Sequence, residues 1–302
     1  MERALGLTIP RSLEDVCRPS EMALLVYDMQ VGIVSQLADG ATVVARVRSV
    51  LDGARACGMR VCHTRHLSLP REFMGSFQYR MAMTWQRVER AADVRPWFLR
   101  DSPGFAIVPD LAPPASEPVF DKITMSAFEG TPLAIALRDC GLRAIAIVGA
   151  AIEVGIEPTV RHAADLGFIP VVVLDACGAG NEEAARRSVA GLEFAGDALF
   201  TTAQAFLELV ARHGQEYACS TTVVAEPQQT PSAVLDGQWT SGSGHPRPRL
   251  GCPPTALGKF RERVVPATSG PSRTAASMRT GLSRPFTQLG RRALVSLQQQ
   301  PS

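Results

Sequence analysis

The seven cysteines of this chain, at positions 17, 57, 62, 140, 177, 219 and 252, are odd in number and scattered, and none belongs to a CxxC pair. Neither a disulfide framework nor a structural zinc site is indicated, and the pattern points to a reducing, cytoplasmic setting. No apolar run approaches the roughly 20 residues that cross a bilayer, so no membrane partner is expected. The stretch from Met1 to Asp15 mixes Glu2, Arg3, Arg11 and Glu14 and has no apolar core of a signal peptide.

Charge is nearly absent in sum, at +2 over 302 residues, but it is unevenly divided. Residues 216–302 hold ten Lys/Arg and four Asp/Glu, a balance of +6, which leaves −4 for residues 1–215. The basic part has no hydrophobic period. Gln228-Gln229, Ser241 to Arg249, Pro253-Pro254, Ser269 to Ser272 and Gln298 to Gln300 are polar and rich in Pro, Gly and Ser. Such a segment buries too little apolar area to offset its ordering entropy, so a disordered tail over 214–302 is expected. Its basic residues are spread rather than clustered, which argues against nucleic acid as a partner.

The remainder alternates short apolar runs with helical spacing. Strands are expected at Met22 to Tyr27, Arg60 to Thr64, Pro118 to Asp121, Ala144 to Val148, Ile169 to Leu174 and Ala198 to Thr201. Between them fall helical patterns at 43–57, 131–140, 156–167, 182–194 and 203–212, and a further one near 80–91 in the less regular segment 66–117. Alternation of this kind predicts an α/β fold with a mostly parallel, six-stranded sheet covered on both faces. The expected layout is an N-terminal extension over 1–19, a domain over 20–213, and the tail.

In open parallel sheets, ligands gather at the carboxyl ends of the strands. Three such ends carry chemistry here: Asp28, Lys122, and the small-residue turn Gly149 to Gly155. A carboxylate and an ammonium placed together can hold and deliver a proton. The turn opens a helix, with Pro158 suited to its first turn, and the backbone N–H groups near 151–156 could stabilise charge developing on an oxygen. A nucleophilic thiol would belong at the head of that helix, but Gly155 has no side chain. On the residues alone it is a glycine fitting a tight turn.

The segments LLVYDMQ (24–30), DKITMSAFEGTPL (121–133), GAAIEVGIEPTVRHA (149–163) and VVVLDACG (171–178) resemble, in order and spacing, the isochorismatase-like hydrolases of the cysteine hydrolase superfamily. The resemblance covers residues 22–212. It implies a three-layer α/β/α sandwich, a small-molecule substrate, homo-oligomers, and a non-proline cis peptide at Ala150-Ala151. It also implies an Asp–Lys–Cys triad in which Asp28 is the acid/base residue, Lys122 the lysine, and Gly155 the position of the missing cysteine. The isochorismatases of the family are similar in having glycine there, and need only a proton donor. They also share a Gln-Pro-x-x-Gln segment after the second strand, where this chain reads Thr64-Arg65-His66-Leu67-Ser68-Leu69-Pro70.

Several residues could line the pocket. Arg65 could pair with a substrate carboxylate, and His66 follows it. Trp85, with Phe77, Tyr79 and Met83, could wall the pocket or pack an interface between subunits. Ala151 and Glu153 lie on the turn itself, and Glu153 could position water. Cys62 and Cys177 read as packing residues. His63 and His66 have no aspartate beside them, so neither a metal nor another cofactor is expected. Three readings stay open: a nucleophile-free hydrolase using Asp28 and Lys122, a silent relative that binds a metabolite or a protein, and a cysteine amidase in which Gly155→Cys would restore turnover.

Overall fold

A computed structural model of the chain describes residues 2–221. The expectation of a disordered tail falls, beyond Thr221, outside the described residues. The chain opens with a small antiparallel pair, β1 (Glu2–Ala4) and β2 (Leu7–Ile9), joined through Leu5 and Gly6 at positive φ. A one-turn helix, α1 (Leu13–Val16), follows, with a capping box in which Ser12 and Asp15 satisfy each other's backbone N–H groups.

The main elements come in order: β3 (Met22–Tyr27), α2 (Val31–Val34), α3 (Gly40–Ala56), β4 (Arg60–His66), α4 (Ser76–Gln86), β5 (Val119–Lys122), α5 (Leu133–Asp139), β6 (Ala144–Ala150), α6 (Glu157–Asp165), β7 (Ile169–Gly178), α7 (Glu182–Ala195), β8 (Leu199–Thr201) and α8 (Ala203–Thr221). The six long-range strands form one sheet in the order β5-β4-β3-β6-β7-β8, every pair parallel. Strand order reverses between β3 and β6, and the carboxyl ends of these two strands mark the crevice where such sheets bind ligands.

β3 and β6 are buried along their whole length, which is why both read as unbroken apolar runs. Alternate residues feed opposite faces. Leu24 and Val26 join Val43, Val47, Val50 and Leu51 of α3 and Phe206 and Val210 of α8 in one apolar cluster. Ala23, Leu25 and Tyr27 join Leu133 and Leu137 of α5, Val160 of α6 and Leu192 of α7 in the other. Two helical layers therefore cover the sheet, and Tyr27 points toward the α6 side.

The helix expected near 80–91 runs instead from Ser76 to Gln86, because Gly75 caps its start and Arg87 turns left-handed at φ 52 to end it. The rest of the irregular segment consists of short 3₁₀ turns at Arg71–Phe73, Ala91–Asp93, Pro103–Phe105 and Pro109–Leu111. Ahead of residue 20, Val16 and Cys17 are buried, and past residue 213 the α8 helix continues to Thr221. No helix among the described residues is long and apolar enough to cross a membrane.

Candidate active site

β3 delivers Tyr27 and then Asp28, whose φ of +47 turns the chain out of the sheet. Thr64 of β4 holds Asp28 twice: its hydroxyl donates to Oδ1 at 2.6 Å and accepts from the backbone N–H at 3.2 Å. The other carboxylate oxygen accepts from Lys122 Nζ at 2.7 Å. That ammonium, the last residue of β5, also donates to the Tyr27 hydroxyl at 2.8 Å and to the Thr124 carbonyl at 3.1 Å. All three of its hydrogens are thus committed. The side chains are 0% and 5% exposed, and burial of such a pair is tolerable only with this degree of hydrogen bonding. The Tyr27 hydroxyl in turn donates to the Met125 carbonyl.

β6 ends in the turn that opens α6. The Ala150-Ala151 peptide is cis, as the resemblance implied, and a wide helical turn spans Ile152–Ile156 before α6 with Pro158 in its first turn. Gly155 does not have a positive φ, so the expectation that it serves a tight turn by conformational freedom is corrected. The reason for glycine is space: a Cβ there would lie 2.5 Å from Tyr27 Cζ, 2.6 Å from its Cε1 and closer still to its hydroxyl oxygen.

A cavity of about 440 Å³ opens above these residues. Asp28, His66, Trp85, Ala151, Glu153 and Gly155, all expected at the site, line it together with Tyr27, Arg87, Trp97, Phe98 and Asn181. Lys122 reaches it only through Asp28 and Tyr27. Arg65 does not line it. Its guanidinium donates to both oxygens of Asp121 at 2.7 and 3.1 Å and lies 4.3 Å from the Phe105 ring centroid. The expectation that Arg65 clamps a substrate carboxylate is corrected by this register, in which Arg65 and Asp121 face each other on β4 and β5.

His66 packs edge-on against Phe98 with centroids 5.8 Å apart. Its backbone is pinned by the buried Gln30, which accepts from His66 N–H at 2.6 Å and donates to its carbonyl at 3.1 Å. Burial outweighs the attraction of Asp28 and lowers the His66 imidazole to about 4, so the ring is neutral at pH 7. His63, three residues earlier on the same strand, bonds Glu117 at 2.7 Å, away from the cavity. Among the described residues no three His, Cys, Asp or Glu side chains converge in a way that could hold a metal ion.

Glu153 accepts from the Asn181 N–H at 2.7 Å through Oε1, while its buried Oε2 has no partner among the described residues. The N–H groups of Gly155 and Ile156 both donate to the Ala151 carbonyl, at 3.0 and 3.1 Å. These two are therefore withdrawn from the charge-stabilising role expected of the turn. Burial pushes the Cys62 and Cys177 thiols up to about 12, which keeps both uncharged.

Sequence reasoning missed Tyr27, Thr64, Gln30, Arg87, Trp97 and Phe98. A signal existed for two of them: Tyr27 is the aromatic that ends the first apolar run, and Gln30 follows two residues after Asp28.

The isochorismatase domain matches residues 22–204. The chain is 26% identical over 192 residues to the ureidoacrylate amidohydrolase RutB of Rhizobium rhizogenes, covering 58% of this chain and 78% of that one. Among solved structures it is similar to a cysteine hydrolase from Pseudomonas syringae pv. phaseolicola, with a TM-score of 0.56, 22% identity, and 65% and 94% of the two chains covered. It is also similar to the pyrazinamidase of Pyrococcus horikoshii in complex with zinc, with a TM-score of 0.51, 20% identity, and 60% and 99% covered. At these identities the two structures attest the fold alone. The described residues of this chain do not offer a set of ligands that fits a zinc ion.

Proposed function

This chain belongs to the isochorismatase family, and on that premise we propose that it hydrolyses a small polar molecule by acid–base catalysis at Asp28, partnered by Lys122, without a covalent intermediate. The observation that carries this reading is the buried 2.7 Å contact between Asp28 and Lys122 at the floor of a cavity wide enough for a small molecule.

Asp28 accepts hydrogen bonds at both oxygens, so it meets the substrate as a base. It takes a proton from water as that water adds to an electrophilic carbon, and returns the proton to the departing oxygen or nitrogen. No proton is consumed overall. Lys122 and Thr64 hold the carboxylate in one orientation through both transfers. The free Oε2 of Glu153 suits a hydrogen-bond donor on the substrate or the attacking water. Trp85, Trp97 and Phe98 supply flat apolar walls.

A second reading, a relative that binds a metabolite or protein without turnover, is favoured by one observation: Lys122 has no hydrogen left to offer a substrate. The purified full chain is tested against vinyl ethers, small amides and carbamoyl compounds with mass-spectrometric detection. Turnover that disappears in Asp28→Asn supports the hydrolase. No turnover, with thermal stabilisation by a panel member, supports the binding protein.

A further inference from the structure

Where the resemblance puts a nucleophile, this chain has both an absence and a replacement. Gly155 lacks a side chain, and the space that its Cβ would enter is held by the ring edge and hydroxyl of Tyr27. The replacement comes from across the sheet. Tyr27 is the last residue of β3, on the face that looks toward α6, and it is 1% exposed. Its register partner on β6 is Gly149, where a Cβ would likewise collide with the Tyr27 backbone, 2.8 Å from N and 2.9 Å from C. Gly149 therefore makes room for the β3 backbone, and Gly155 for the tyrosine ring.

We propose that Tyr27 occupies the seat of the missing nucleophile and acts there as a positioning residue, its hydroxyl holding the Lys122 ammonium against Asp28. This deepens the acid–base reading above, on which the importance of the Asp28–Lys122 pair rests. The hydroxyl has one hydrogen, and it goes to the Met125 carbonyl; its oxygen accepts from Lys122 at 2.8 Å. Burial, and then the negative charge of Asp28, raise the Tyr27 phenol well above its ordinary value. A phenol that keeps its proton is a poor nucleophile. Tyr27 thus takes the thiol's place without its chemistry, and Gly155→Cys alone cannot restore an amidase because no room exists for the new side chain.

The seat and the hold are tested separately, and neither test needs turnover. For the seat, thermal unfolding is compared for Gly155→Ala, Tyr27→Val and the double variant of the full chain. Overpacking against a buried ring costs about 1–3 kcal/mol, so Gly155→Ala is expected to lower Tm by about 5 °C, and by half that or less when Tyr27→Val has cleared the space. Where Gly155→Ala yields no folded protein, recovery of folded protein in the double variant is the same result. Equal losses in both backgrounds would overturn the seat.

For the hold, the chain provides its own reference, because its only lysines are Lys122 and Lys259. Acetylation by acetic anhydride, mapped by mass spectrometry, is compared between wild type and Tyr27→Phe. The ring stays and the hydroxyl goes, so the fold should persist with Tm lowered by only about 2–4 °C, while labelling of Lys122 relative to Lys259 should rise about fivefold, as loss of a roughly 1 kcal/mol hydrogen bond implies. An unchanged ratio would overturn the hold. Should no panel compound be turned over while both effects appear, the hydrolase reading fails and the assignment of Tyr27 stands.

Discussion

Lys122 meets Asp28 at 2.7 Å with its side chain wholly shielded from solvent, and each residue closes a different strand of the sheet. Breaking such a pair from one side leaves a charge buried without its partner. Lys122→Met is therefore expected to destabilise the fold by about 3–5 kcal/mol, whereas Asp28→Asn with Lys122→Met should cost clearly less than the sum of the two single variants. Urea unfolding of the three variants measures this. Strict additivity would mean that the two groups do not stabilise each other.

Arg65 is predicted to matter for the sheet and not for the ligand. Its bidentate contact with Asp121 joins β4 to β5, and Arg100 reaches the same carboxylate at 3.0 Å. Because Arg65 is partly exposed and Asp121 keeps Arg100, Arg65→Met should cost only about 1 kcal/mol. Any ligand found by the turnover panel should bind the variant within about twofold of wild type, a difference of roughly 0.4 kcal/mol. A tenfold loss of affinity without loss of stability would return Arg65 to the pocket.

These two residues also show what could and could not be seen in the sequence. The strand ends were legible because β3 and β6 are buried on both faces, so Met22 to Tyr27 and Ala144 to Val148 stand out as continuous apolar runs. Asp28 and the turn to Gly155 follow from where such runs stop, whereas Lys122 ends the short, half-buried β5. Register is a different kind of information. That Arg65 lies opposite Asp121, and Tyr27 beside Gly149, depends on how separate strands align, and no local pattern reports it. The pair β1 and β2 was missed for a simpler reason: it is largely exposed and has no apolar alternation to read.

Glu117 is predicted to be a stability residue with no role in the cavity. It receives the Arg55 guanidinium at 2.7 and 2.9 Å and the fully buried His63 at 2.7 Å, tying α3 to β4. Burial pushes its carboxyl up, but the hydrogen bonds from Arg55 and His63 prevail and hold it below the usual range. Glu117→Gln keeps the shape and removes the charge, and should cost about 2–4 kcal/mol in chemical unfolding. Ligand-induced stabilisation should be unchanged.

Acid should weaken the fold above the range in which carboxylates protonate, and His66 supplies the reason. Its imidazole is lowered to about 4 from an ordinary 6.5, chiefly by burial, and the buried His63 moves in the same direction for the same cause. Between these values the unfolded chain binds a proton that the folded chain refuses. The associated stability is complete above pH 6.5 and is lost progressively as the pH falls toward 4. At about 1.4 kcal/mol per unit, discounted for the partial exposure of the ring, His66 should account for about 2–3 kcal/mol of that loss. His66→Gln replaces the titrating ring with a neutral side chain, so its Tm should fall less steeply than that of wild type from pH 7 to pH 4.5. Parallel Tm profiles for the two proteins would show that His66 is not the group held neutral in the folded state.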